Sequence, residues 1–207
     1  SPKYAGAFYL LGVCMSRRGE YEEALDPLQE AITLLPQFLD PYVELGRVQK
    51  ELGREEEAEK SFLTVLDNPK ASPRVLRMLA YRLMEAGWIE ESIAAYTQIL
   101  HGEEPVYGDW NNRGVAYRRQ GDEKQARKDI VQASELDSNR PEAFSNLGRI
   151  YVESKSYDLG VSSFLKALEV DPGFLPALLN AAVVYGEYLD DMERATGFLR
   201  QYLEKGG

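Results

Sequence analysis

The sequence predicts an all-α protein built from six helical hairpins in tandem. Three observations carry this expectation. The 207 residues repeat with a fixed step of 34. Each step holds two stretches whose apolar residues recur at helical spacing. Each stretch stops at glycine or proline, residues that end helices.

The step shows first in small residues: Gly12, Gly46, Ala80, Gly114, Gly148 and Ala182 follow one another 34 apart. A second series is large and apolar: Phe8, Tyr42, Leu76, Trp110, Phe144 and Leu178. A third reads Leu11, Leu45, Leu79, Arg113, Leu147 and Ala181. A fourth reads Ala24, Ala58, Ser92, Ala126, Gly160 and Arg194, and a fifth Leu28, Phe62, Tyr96, Ile130, Phe164 and Phe198. The units run 5–38, 39–72, 73–106, 107–140, 141–174 and 175–207, and form one domain over 1–207. In the first unit Phe8, Leu11, Gly12 and Met15 mark one helical face, which breaks at Gly19. The second helix buries Ala24, Leu28 and Ala31, and Pro36 closes the unit. The same punctuation returns at Gly53, Gly87 and Gly121, and at Pro69, Pro105 and Pro172. Small residues at two fixed places let paired helices approach closely, where a larger side chain would overpack by about 1–3 kcal/mol. In the last unit Ala195 falls one place late, which predicts one extra residue in the turn 187–191.

Composition narrows the function. The formal net charge is -10, so the chain has no global electrostatic footprint for nucleic acid. One cysteine, Cys14, forms no intramolecular disulfide, and one histidine, His101, rules out a multi-histidine metal site. No apolar run reaches the roughly 20 residues that span a bilayer. The opening Ser1-Pro2-Lys3 lacks a methionine, which suggests a processed form or an excised fragment. An unpaired cysteine suits a reducing cytosol, with a periplasmic or membrane-tethered form as the alternative. No Ser/His/Asp or Cys/His constellation, phosphate loop or calcium loop is present, so the expectation is no enzyme activity, no cofactor and no metal. His101 reads as a solvated loop residue and Cys14 as a small packed one. The aromatic residues Phe8, Tyr42, Trp110, Tyr117, Phe144 and Tyr151 read as core. Glu90-Glu91, Asp190-Asp191 and the run Glu55-Glu56-Glu57 open or precede helices, where negative charge favours the helix dipole.

The repeated residues resemble the tetratricopeptide repeat family. Its pattern of a large residue, Leu-Gly, Tyr, Ala, aromatic, Ala and Pro appears in unit five as Phe144, Leu147-Gly148, Tyr151, Gly160, Phe164, Ala167 and Pro172. Unit one gives Phe8, Leu11-Gly12, Met15, Ala24, Leu28, Ala31 and Pro36. Three positions depart: Arg113 replaces leucine, and unit three has Ala80 and Ser92 for glycine and alanine. The resemblance implies a right-handed α-solenoid of six helix-turn-helix units. It also implies a groove lined by the second, fifth, sixth, ninth, twelfth and thirteenth residues of each unit.

At the sixth position stand Leu10, Glu44, Met78, Asn112, Asn146 and Asn180. The three asparagines are similar to the asparagine ladder in the repeat region of O-GlcNAc transferase, where amides pair with the backbone of an extended peptide. The alternative is that these amides are solvated or bond to neighbouring helices. By unit the net charge is -2, -3, -2, +1, -2 and -2, so only residues 107–140 are positive. Arg118, Arg119 and Arg149 fall at groove positions, as do Arg47, Arg77 and Asn111, whereas Lys124, Arg127 and Lys128 belong to the turn and second helix and face out. Arginine presents a fork of donors matched to carboxylates. The expected site is therefore Asn111, Asn112, Asn146, Asn180, Arg77, Arg118, Arg119 and Arg149, holding an extended and acidic peptide. The Lys/Asn clamp by which some relatives hold chaperone termini is absent: Tyr9 and Val13, and Asn111 and Val115, occupy its places.

The expected function is a protein-interaction scaffold with another protein as partner. It calls for no nucleic acid and no membrane insertion. Two alternatives stand beside it: a substrate-recruiting or regulatory region of a larger enzyme, and a self-associating scaffold.

Overall fold

A computed structural model describes residues 2–102 and 105–207. Among these residues every regular element is an α-helix, twelve in all. They fall into two compact halves, which meet at 104/105 in the sequence. The first half holds α1 (Pro2–Arg17), α2 (Tyr21–Leu34), α3 (Asp40–Glu51), α4 (Glu55–Leu66), α5 (Pro73–Ala86) and α6 (Ile89–Leu100). The second holds α7 (Tyr107–Gln120), α8 (Glu123–Leu136), α9 (Pro141–Glu153), α10 (Tyr157–Val170), α11 (Leu175–Glu187) and α12 (Met192–Glu204). Within each half, successive helices pair as hairpins, and each following hairpin lays its first helix on the second helix of the one before. Glu103, at the end of the His101 loop, lies outside the described residues.

The small and large series meet inside the hairpins of units one, two, four and five. A Cβ placed on Gly46 would stand 2.5 Å from the Phe62 ring, and one on Gly148 would stand 2.5 Å from the Phe164 ring. Gly12 faces Leu28 and Gly114 faces Ile130 in the same way. The large residues are shut off from solvent: Phe62 and Phe164 are each 1% exposed. In unit three the exchange of Gly and Ala for Ala80 and Ser92 is compensated, because the Ser92 hydroxyl donates to the Ala80 carbonyl at 2.8 Å.

The turns repeat as well. Gly19, Gly53, Gly87 and Gly121 close the first helices with positive φ. Lys155 takes this conformation in unit five at φ 61°, and Asp190 in unit six at φ 52°. Asp190 stands 35 residues after Lys155, one more than the step. The turn 188–191 accordingly has four residues where 18–20 has three.

Arg113, the departure in unit four, has a partner in a second departure. Its guanidinium meets the Asp129 carboxylate twice, Nε at 2.6 Å and Nη2 at 2.9 Å. Trp110 and Tyr117 lie under the same guanidinium at 5.3 and 5.5 Å. Asp129 is fully buried. Where unit four has Arg113 and Asp129, units two, three and five carry Leu45 and Ser61, Leu79 and Ala95, and Leu147 and Ser163. The unit thus exchanges an apolar–small pair for a buried ion pair.

One expectation is corrected. Cys14 is exposed, not packed. It lies with Leu11, which is 45% exposed, on the face of α1 that in the next unit presses Leu45 and Val48 against Leu28 and Ile32 of α2. Among the described residues no helix covers that face of α1. The six aromatic residues expected in the core are half-buried, with Tyr42, Tyr117 and Phe144 packed against it.

Two predictions follow from these contacts. Gly148→Ala costs about 1–3 kcal/mol through overpacking against Phe164, whereas Gly197→Ala, with nothing within 4 Å of its Cβ, gains about 0.5–1 kcal/mol of helix stability. Urea denaturation of the two variants reads both signs. Asp129→Ala removes the carboxylate that meets the Arg113 guanidinium twice and costs about 3–5 kcal/mol. Arg113→Leu/Asp129→Ala, which installs the Leu79/Ala95 combination, recovers most of that loss; a double variant as unstable as Asp129→Ala would show that the pairing is not the cause.

Candidate functional site

In the second half, α7 and α9 bring six of the expected amide and arginine positions into direct contact or charge range. Asn111 is 8% exposed and sits between its neighbours. Asn146 Nδ2 donates to Asn111 Oδ1 at 3.0 Å, and Asn111 Nδ2 donates to Asn112 Oδ1 at 3.2 Å. An amide has donors at one end and an acceptor at the other, so this chain has a direction. It leaves the Asn112 amide nitrogen as donor at one end and the Asn146 carbonyl oxygen as acceptor at the other. Asn180, on α11, is half-buried and makes no side-chain hydrogen bond among the described residues. The amides therefore do bond between helices, and Asn111 is the link.

The arginines gather at the other end of the same two helices. Arg118 reaches across to α9, its Nη1 donating to Glu153 Oε1 at 2.6 Å. Its side chain is 13% exposed, and its Nε is buried without a hydrogen-bond partner. Arg149 is held below the ordinary arginine value by burial first and then by the like charges of Arg118 and Arg119, with Glu153 opposing them. Arg149 thus lies within charge range of two further guanidinium groups and of the carboxylate that Arg118 binds. A carbonyl or carboxylate placed among them meets donors suited to it.

In the first half, Arg77 is half-buried on α5 and takes part in an interaction of its own. Sequence reasoning missed a second concavity there. α1, α3 and α5, with the start of α2, line a cavity of about 340 Å³ that includes Tyr9, Ser16, Tyr21, Glu44, Arg47 and Arg82. An adjoining cavity of about 540 Å³ shares Arg47 and Arg82 and adds Lys50 and Glu85. The organising group of the first cavity is Glu44, 6% exposed, which accepts from Ser16 Oγ at 2.6 Å and from Arg47 Nη2 at 2.6 Å and Nε at 3.1 Å. Burial alone would raise the Glu44 carboxyl, but the hydrogen bonds from Arg47 and Ser16 outweigh it and hold it below its usual value. The signal was present in the sequence as an acid at a sixth position, with Arg47 three residues on and Ser16 at the twelfth position of the preceding unit. His101 is exposed. Among the described residues no group of His, Cys, Asp and Glu side chains gathers to hold a metal ion, and no helix is long and apolar enough to cross a membrane.

Tandem helical hairpins with side chains of the first helices exposed along one face define a helical-repeat protein. The chain belongs to the tetratricopeptide repeat family, whose profiles match residues 7–37, 39–69, 110–140 and 141–174. Human tetratricopeptide repeat protein 6 is 26% identical over 83% of this chain and 40% of its own length. The human protein O-mannosyl-transferase TMTC3 is 23% identical over 86% of this chain and 21% of its own length. The chain thus spans less than half of either relative. Among solved structures, the type IV pilus biogenesis factor PilW superposes with a TM-score of 0.73 at 18% identity, covering 97% of this chain and 92% of that one. YrrB, described as a tetratricopeptide repeat protein with an unusual peptide-binding site, gives 0.59 at 20% identity, over 86% of this chain and 92% of its own.

The Glu44 geometry predicts a pH dependence. A carboxyl held low in the folded state adds stability above its unfolded value, and that stability is lost as pH falls through the folded value. Wild type should therefore exceed Glu44→Gln in urea denaturation at neutral pH, and the gap should close below the ordinary carboxylate range. A gap independent of pH would assign the effect to packing.

Proposed function

We propose that the protein is a non-catalytic interaction scaffold whose α7 and α9 hold an extended, acidic segment of a partner protein. The observation that carries this reading is the gathering of Arg118, Arg119 and Arg149 within charge range of one another, with Glu153 beside Arg118, on the helices that carry the amide chain of Asn111, Asn112 and Asn146. The arginines take an acidic group of the ligand. Asn112 donates to a ligand carbonyl, and Asn146 accepts a ligand N–H. Such pairing reads backbone and charge, and it tolerates many side chains. Asn180 extends the amide series onto α11. In the first half, Arg77 provides a further donor for the same class of ligand. Membership of the tetratricopeptide repeat family and the fold shared with a solved peptide-binding relative support the role.

A second reading comes from the lengths of the relatives. The chain covers 21% of a protein described as an O-mannosyl-transferase, so it also fits as a partner-recruiting segment within a longer chain. The reading frame around it decides: an adjoining catalytic region supports this version, and a nearby stop codon removes it.

An extended Asp/Glu-rich peptide and its Asn/Gln counterpart serve as probes in fluorescence anisotropy. The acidic peptide should bind more tightly, and added salt should weaken it. Arg118→Ala/Arg119→Ala should lower its affinity on the order of tenfold or more and flatten the salt dependence, since each charge-assisted contact contributes about 1.5–3 kcal/mol. Unchanged affinity and salt slope would take the arginines out of the site.

A further inference from the structure

The solvent faces of α4 and α8 occupy the same repeat positions, two units apart, and carry opposite charge. On α4 the face is Glu56, Glu59, Lys60, Leu63, Thr64 and Asp67. Adding 68 to each number gives Lys124, Arg127, Lys128, Val131, Gln132 and Glu135, the face of α8. Each forms a shallow depression, of about 370 Å³ on α4 and about 640 Å³ on α8. The i, i+3, i+4, i+7, i+8, i+11 spacing makes each set one continuous stripe. The α4 stripe sums to -2 and the α8 stripe to +2. The inversion comes from two positions, Glu56 against Lys124 and Glu59 against Arg127.

Neither stripe uses its distinguishing charges internally. Glu56, Glu59, Lys124 and Arg127 are exposed, and none of their side chains makes an ion pair or hydrogen bond among the described residues. Each stripe has an aliphatic residue at its centre, the half-buried Leu63 and the 37% exposed Val131. The corresponding stripes of α6 and α10 sum to -1 each, so neither repeats the α8 charge. An α8-like cluster is out of keeping with a chain whose other five units are all negative.

We propose that this chain self-associates by docking α8 of one copy on α4 of another. Val131 then lies against Leu63, while Lys124 and Arg127 face Glu56 and Glu59. The occupant of the α8 stripe is a second copy because the complementary stripe, with the same spacing and a matching aliphatic centre, is carried by the chain itself. Electrostatic complementarity of this kind fixes partner and register more than it adds affinity. Two copies of net charge -10 repel at long range. At physiological salt the Debye length is about 8 Å, so that repulsion is blunted while direct contacts survive.

Sedimentation equilibrium over a concentration series at physiological salt tests the proposal by charge exchange. Wild type should gain mass with concentration. Lys124→Glu/Arg127→Glu and Glu56→Lys/Glu59→Arg should each stay monomeric, since each makes both stripes alike in sign. An equal mixture of the two variants should associate again, because each then offers what the other lacks. All four substitutions are at exposed positions, and circular dichroism checks that the helices are kept. Wild type monomeric throughout, a single variant that associates like wild type, or a mixture that stays monomeric would each overturn the pairing. Binding of the acidic peptide at Arg118 and Arg119 is measured on the same variants, and its loss without loss of association would point to the peptide site alone.

Discussion

The nearness of two helices at one position governs how each hairpin is built. Gly46 and Gly148 permit it because their missing Cβ atoms would fall inside the van der Waals radius of Phe62 and Phe164. A phenyl ring buried against a backbone removes apolar area from water and leaves no void, which close-packed interiors demand. The contact is local to a hairpin, but its consequence is not. It sets where the outer faces of both helices lie, and those faces pack on the next hairpin. In a repeat protein each unit touches chiefly its neighbours, so a contact repeated in units one, two, four and five is the basis of the stack.

That contact is also why so much of the fold was legible in the sequence. A small residue and a large one 16 positions later recur because neither can change alone. The departures were legible as departures, but not their remedies. Ser92 answers Ala80 through a hydrogen bond to its carbonyl. Asp129 answers Arg113, yet no period links the two, and only their juxtaposition shows that a Leu79/Ala95-type pair has been traded for an ion pair. The late Ala195 pointed to an inserted residue, and the positive φ moving from the expected 189 to Asp190 shows where the turn absorbs it. Cys14 was misread for a reason of the same kind. Its equivalents Val48, Ile150 and Val184 are buried by the preceding unit, and α1 has no such neighbour among the described residues.

The polar positions were harder to read because periodicity records burial and not hydrogen bonding. Asparagines at 112, 146 and 180 form an even series, but the amide that links the first two is Asn111, one place out of phase and nearly buried. A polar group so placed is costly unless satisfied, and it rigidifies what it binds when it is satisfied. Glu44 does the same in the first half through Ser16 and Arg47. The two halves thus arrive at similar devices, a buried polar hub on first helices, from unlike residues at neighbouring repeat positions.

Charge is the quantity least bound by the repeat, and for that reason the one most free to carry function. The packing positions of α4 and α8 are nearly interchangeable: Ala58 and Ala126 are buried, as are Phe62 and Ile130. Their solvent stripes differ by four units of charge. Helix propensity does not account for this, since lysine, arginine and glutamate are about equally good helix formers. Local ion pairing does not account for it either, because Lys124 and Arg127 make none among the described residues. On the same unit's first helix stand Arg118 and Arg119, whose like charges act on Arg149 while Glu153 opposes them. A helical pair that gathers cations on two faces, in a chain of net charge -10, owes that charge neither to the repeat nor to helix propensity.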